Sequence, residues 1–124
     1  MDHAINWFEI PVVDMQRAGR FYRTVLGVEL NETPAAGSGY EMAMLPGERG
    51  VVSGALVKGE GYTPSQEGVV VYLNGGDDLG VLLDRVEAAG GQVALPKTEI
   101  GEDDGFFAYF IDTEGNRIGL HSDG

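Results

Sequence analysis

Two side chains in this 124-residue sequence stand where they could move protons: Glu9, inside the apolar stretch INWFEIPVV (Ile5 to Val13), and His121, near the end of the chain. Brought together, a carboxyl and an imidazole form a general acid/base couple, the carboxyl raised by burial or the imidazole poised near neutrality. Apart, they are hydrogen-bonding groups that orient a neighbour such as Trp7 or cap a sheet, and both roles are open here. A second set of residues could line a pocket. Trp7, Tyr40, Met42, Met44, Tyr72, Phe107 and Tyr109 all fall in strand-like stretches, and aromatic and thioether groups make an adaptable apolar lining. Ordinary core packing is the competing role for Tyr40, Met42 and Met44. The expected ligand-binding residues are Trp7, Tyr72, Phe107, Tyr109 and Met42.

Other chemistries drop out on composition. With no cysteine, thiolate metal sites, iron–sulfur clusters and thiol catalysis are absent, and nothing points to an oxidising compartment. The acidic run Glu99, Glu102, Asp103 and Asp104 lacks the regular spacing of a calcium loop and reads as a solvated face. Gly75-Gly76 precedes a helix, but the adjacent Asp77 and Asp78 repel phosphate and no nucleotide fingerprint is present. A net charge of -12, from 20 acidic against 8 basic residues, argues against nucleic acid and anionic membrane partners. No apolar run reaches the ~18 residues of a membrane span, and no basic segment leads into an apolar stretch at the N-terminus. A cytoplasmic protein that handles a small molecule is the expectation.

The elements that would position these residues follow from periodicity. Ile5 to Val13 suits a strand buried on both faces. Ala18, Phe21, Tyr22, Val25 and Leu26 then recur at helical spacing, with Asp14 as N-cap and Gly27 as C-terminal stop. Strands are expected near Val28 to Glu32, Gly39 to Leu45 and Val51 to Val57, with turns at Pro34 to Gly37 and at Pro46-Gly47. After the polar segment Gly59 to Gly68, read as a linker or mobile loop, the pattern restarts. Val69 to Asn74 reads as a strand, and Leu79, Leu82, Leu83 and Val86 form a helical stripe between Asp77 as N-cap and Gly90 as stop. Both caps lie 63 residues after their first-half counterparts. Gln92 to Leu95, a polar loop Lys97 to Asp104, and strands Phe106 to Asp112 and Arg117 to Ser122 complete the second copy.

Two βαβββ modules therefore make one α+β domain over residues 1–124: module one about 4–58, a linker about 59–68, and module two about 69–122. Each half-sheet has one face covered by its helix and one left open, so paired sheets would leave a cleft between the modules. A doubled ferredoxin-like fold would need a second helix per unit, where the sequence has strands and Gly-rich turns.

The runs FEIPVVDMQRAGRFYRTVLG (Phe8 to Gly27) and DTEGNRIGLHS (Asp112 to Ser122) resemble the first strand and helix, and the last turn and strand, of the vicinal oxygen chelate superfamily. That family includes glyoxalase I, extradiol dioxygenases and antibiotic-binding resistance proteins. The resemblance implies an eight-stranded, incompletely closed barrel. In the family's metal enzymes, four His or Glu side chains hold a divalent ion, one on the first and one on the last strand of each half. Carried onto this chain, those places fall on Trp7, Val70, Gly119 and Gly54, none of which offers a metal donor. By alternation, Glu9 and Pro11 share the face of Trp7, and His121 shares that of Gly119, so all would point toward the cleft. The implied function is binding of a small, partly apolar molecule without a cofactor. The alternative is a lyase, isomerase or dioxygenase that either works metal-free through Glu9 and His121 or uses metal ligands not identified here. A homodimer is compatible with both.

Overall fold

Asp14 starts the first helix. Its backbone is extended (φ −121, ψ 103) and its carboxylate accepts the Arg17 N–H at 3.1 Å, satisfying one of the orphan donors of helix α1 (Met15–Leu26). Gly27 closes the helix in the left-handed region, φ 67, where an L side chain would be strained, and its N–H returns to the Arg23 carbonyl. The face made by Met15, Ala18, Phe21, Tyr22 and Val25 is buried, as the spacing requires. Helix α2 (Leu79–Val86) is capped by Asp78 and not by the expected Asp77: the Asp78 carboxylate accepts the Gly80 N–H at 2.8 Å. A turn at Gly76, φ 73, takes one more residue than the corresponding passage in the first half, which moves the cap along by one.

The computed structural model describes residues 3–33, 39–48 and 50–124; the turn expected at Pro34 to Gly37 lies outside them. Among the described residues, strands β1 (Trp7–Pro11), β2 (Asn31–Thr33), β3 (Glu41–Met44) and β4 (Ser53–Lys58) form one sheet, in the order β1-β4-β3-β2. Strands β5 (Tyr72–Asn74), β6 (Gln92–Gly101), β7 (Gly105–Ile111) and β8 (Arg117–Ser122) form the second, in the order β5-β8-β7-β6. The parallel pairs β1/β4 and β5/β8 and the antiparallel remainder repeat the same topology, so the chain is two tandem βαβββ modules whose sheets are not closed into a barrel.

β2 and β5 begin three residues later than expected, and two further strands differ in character. β1 is not buried on both faces: Ile10 is covered while Trp7 and Glu9 are exposed, because only one side of this edge strand meets the core. β6 runs on through Lys97 to Gly101, where a loop was expected. β7 supplies a ladder partner across Thr98/Phe107, Glu99/Phe106 and Gly101/Gly105, and the polar side chains turn to water while three register shifts bend the strand.

Both modules share one core. Ile10, Phe21, Tyr22, Val25 and Leu56 from the first pack in the same cluster as Leu73, Leu79, Val86, Phe110 and Leu120 from the second, with Phe21 and Phe110 ring centres 5.6 Å apart. The turn Asp112 to Asn116 locks the joint. Glu114, its side chain fully buried, accepts the N–H groups of Val13 and Asp14, both at 2.7 Å, and Arg17 Nε at 2.8 Å. Burial alone would push this carboxyl up, but the hydrogen bonds from Arg17, from the Asp14 and Val13 amides and from Thr113 hold it down to about 2. Asn116 donates to the Pro11 carbonyl at 2.7 Å, and Arg85 of α2 donates to the Val25 carbonyl of α1.

Candidate functional site

With the inner faces of both sheets committed to the common core, the opposite faces point outward. In the second sheet that face is read from alternation and register. β8 contributes Arg117, Gly119 and His121; β7 places Ile111, Tyr109 and Phe107 across from them; β5 sets Tyr72 beside Gly119 and Asn74 beside His121. Gly119 is a floor: a Cβ there would lie 2.5 Å from Tyr72 Cδ1, so the Tyr72 ring covers a position that only glycine can occupy without moving it. The Tyr72 and Tyr109 hydroxyls are 2.8 Å apart, and the Phe107 and Tyr109 rings meet edge-on at 5.6 Å. Desolvation, followed by the Tyr109 hydrogen bond, pushes the Tyr72 phenol up to about 12, with the Arg117 charge working in the opposite direction. Arg117 lies over the Tyr109 ring, 5.5 Å from its centre. Tyr72, Asn74, Ile100, Phe107 and His121 border a cavity of about 750 Å³.

In the first sheet the outward face carries Trp7, Glu9 and Pro11 beside Ser53, Ala55 and Val57, with Met42 and Met44 on the next strand. Trp7 donates its indole N–H to Glu9 at 3.3 Å, and the Tyr62 hydroxyl donates to the other Glu9 oxygen at 2.6 Å. That bond raises the Tyr62 phenol. Trp7 and Met44 border a second hollow of about 920 Å³, together with Ile5, Glu29, Asn31 and Val51.

The expected site residues therefore divide between two faces. Tyr72, Phe107, Tyr109 and His121 come together on the second sheet, whereas Trp7, Glu9 and Met42 lie on the first. Glu9 is exposed, and its partners are Trp7 and Tyr62. His121 Nε2 instead contacts the Asp104 carbonyl at 3.0 Å. No hydrogen bond joins Glu9 to His121. Nor do the two hollows draw on both modules, as a cleft between them would: the bordering residues of each come from one module. The physical reason is the shared core, which brings the modules together through helices and inner faces and leaves the open faces outward.

A family metal site can be tested on the donor set. Gly54 is not the counterpart of Gly119: it pairs with Phe8 and lies on the core face, and the register sets Ala55 beside Glu9 as Gly119 stands beside Tyr72. Neither alanine nor glycine ligates a metal. Among the described residues, no three His, Cys, Asp or Glu side chains are grouped so as to hold an ion, and the residues present do not fit one.

Alternation in Arg117-Ile118-Gly119-Leu120-His121 is the signal that puts Arg117 on the outward face with His121. Tyr62 carries no such signal, because it sits in a segment without periodicity. There the contact with Glu9 on one side, and those of Ser65 with Asn116 and Arg117 on the other, tether the segment to both modules.

The model of the Glyoxalase/Bleomycin resistance protein/Dioxygenase superfamily matches residues 4–120. The chain belongs to this superfamily. A Mycobacterium tuberculosis protein, CFP32, whose name provisionally designates it a glyoxylase, is 31% identical over 119 residues, covering 93% of this chain and 44% of the relative. The chain thus spans less than half the length of the curated relatives it matches. Among solved structures, glyoxalase I from Zea mays superposes with a TM-score of 0.71 at 19% identity, over 95% of this chain and 45% of that one. TnmS3, an antibiotic-binding protein from Streptomyces sp. CB03234, superposes with a TM-score of 0.62 at 23% identity, over 100% and 98% of the two chains. These likenesses place the fold within the superfamily, whose members host different activities.

Proposed function

We propose that this superfamily member binds a small, partly apolar molecule on the outward face of its second sheet, without a divalent metal, and that binding is its biochemical act. The observation that carries this reading is the aromatic shelf of Tyr72, Phe107 and Tyr109 over Gly119, beside a cavity of about 750 Å³. Tyr72 is 47% exposed there while Phe107 and Tyr109 are half-buried, and grouped, partly exposed aromatics beside a concavity with a few polar groups are the usual makings of a ligand site. The antibiotic-binding description of the Streptomyces relative is in keeping with such a role, and that likeness extends along nearly the whole of both chains.

An enzymatic role through Glu9 and His121 has less support, since each is bonded to a different group on a different sheet. The Glyoxylase designation belongs to proteins more than twice as long as the stretch they share with this chain. Exposed Trp7 on one sheet with Val52 just before its strand β4, and Tyr72 and Ile100 on the other, favour a homodimer that covers part of both outward faces. The acidic composition and cysteine-free sequence favour the cytoplasm.

The test is a thermal-shift screen of flat aromatic and aliphatic compounds on protein purified without a His-tag, followed by amide NMR. A ligand at about 100 times its dissociation constant should stabilise the protein by ~2.7 kcal/mol. It should move the amides of Tyr72, Phe107 and Gly119. Near-stoichiometric metal in the purified protein, measured by mass spectrometry, would overturn the metal-free reading.

A further inference from the structure

Among the described residues, Arg117 forms no ion pair with a carboxylate. The sequence has 20 acidic and 8 basic residues, so carboxylates are plentiful, and Arg17, Arg23 and Lys97 each pair with one. Arg117 is half-buried and its Nε is enclosed without a hydrogen-bond partner; its side-chain interaction is with the Tyr109 ring. An enclosed donor left unpaired is costly, and a guanidinium has five donors arranged to meet a planar anion. The adjacent hydroxyl pair adds to this. Whichever of Tyr72 and Tyr109 donates in their 2.8 Å hydrogen bond, the other keeps a hydrogen to offer outward.

We propose that Arg117, together with the Tyr72–Tyr109 hydroxyl pair, recognises the carboxylate of a small organic acid whose apolar body lies along Phe107. The proposal rests on the ligand-binding reading above and names the ligand class. A carboxylate taken end-on engages the two terminal nitrogens of the guanidinium, the donors that are not enclosed with Nε. The free tyrosine hydroxyl donates to the same group. Gly119, set between Tyr72 and Tyr109 in the register, keeps the floor of the shelf free of a side chain, and Phe107, across from His121, offers the flat surface. In a protein of net charge -12, an anion otherwise meets repulsion, so recognition depends on this one guanidinium.

The probes are phenylacetate and phenylacetamide, of nearly the same shape but differing in charge, titrated into ¹⁵N-labelled protein with the arginine Nε–Hε signals in view. Phenylacetate should move the Arg117 Nε–Hε signal and the Gly119 amide, and bind at least tenfold more tightly than phenylacetamide. Arg117→Gln should abolish that difference, and Arg117→Lys, with charge but no fork, should restore only part of it. Equal affinity of the two probes at this face would overturn the carboxylate site and leave the apolar pocket standing. Failure of both probes to perturb Tyr72, Phe107 and Arg117 would overturn both. The comparison of probes is made on the unaltered protein, so it holds even if a variant folds poorly.

Discussion

The Tyr22 hydroxyl donates to Asp112 at 2.6 Å across 90 positions of sequence, joining the first helix to the last turn inside the core. Both residues are buried, and Asp112 also receives the Asn116 side chain and the amides of Glu114 and Asn116. Tyr22 thus contributes one of four donors to an enclosed carboxylate that also shapes the Thr113-Glu114-Gly115 turn.

Tyr22→Phe keeps the ring packing and removes this donor. The expected cost is about 2 kcal/mol, since a hydrogen bond to a charged group is lost and its acceptor stays buried. In thermal unfolding this should appear as a decrease in Tm of about 8 °C. An unchanged Tm would show that the three remaining donors satisfy Asp112 by themselves.

Glu114 sets the acid limit of the fold. Its carboxyl is lowered from an ordinary 4.5 to about 2, so the ionised form is favoured in the folded state. The sign follows: its contribution is complete above pH 4.5 and is lost as pH falls through about 2. The loss is on the order of 3 kcal/mol across that window. Urea unfolding at a series of pH values should show wild type and Glu114→Gln converging toward pH 2, with the variant less stable at pH 7.

Two glycine substitutions should have opposite characters. At Gly91 a Cβ would meet the Ile111 carbonyl at 2.7 Å and the Phe21 ring at 2.6 Å, groups fixed by backbone and core. Gly91→Ala should therefore destabilise by about 2 kcal/mol or more. At Gly119 the obstruction is the exposed Tyr72 ring, which can swing away, so Gly119→Ala should leave Tm nearly unchanged while breaking the Tyr72–Tyr109 contact and weakening ligand binding. Denaturation midpoints and the ligand titration separate the two effects.

Glu9→Gln tests the division of the two faces. Glu9 bonds Trp7 and Tyr62 and makes no hydrogen bond to a residue of the second sheet. The substitution should change Trp7 fluorescence, because its indole N–H loses a charged acceptor, and leave binding at Tyr72, Phe107 and Arg117 within twofold. A large loss of binding there would mean that the first sheet contributes to the site.

The legible part of the sequence was what local physics controls. Asp14 and Gly27 specify a helix start and stop through side-chain and backbone preferences that need no tertiary context, and the repeated topology and superfamily follow from such signals. The second cap was harder, because Asp77 and Asp78 are equally suited to it and the choice depends on how the Gly76 turn runs. Lys97 to Gly101 carries no strand pattern of its own and becomes β6 only because β7 pairs with it. Which residues share a site was least legible. Alternation gives the face of a strand but not the direction in which that face points, so Trp7 and Tyr72 were expected in one cleft and lie on separate sheets.

The segment from Gly59 to Gly68 connects halves that already hold each other through the common core and the Glu114, Tyr22 and Asn116 contacts. Its peptide bonds are therefore dispensable in a way that its side chains are not. Two separately synthesised polypeptides meeting between Glu60 and Gly61 would carry complementary halves of one interior, each exposing an apolar surface that only the other can cover. Mixed, they should reconstitute a single noncovalent protein, and its reassembly would provide a split reporter responsive to whatever binds the second sheet.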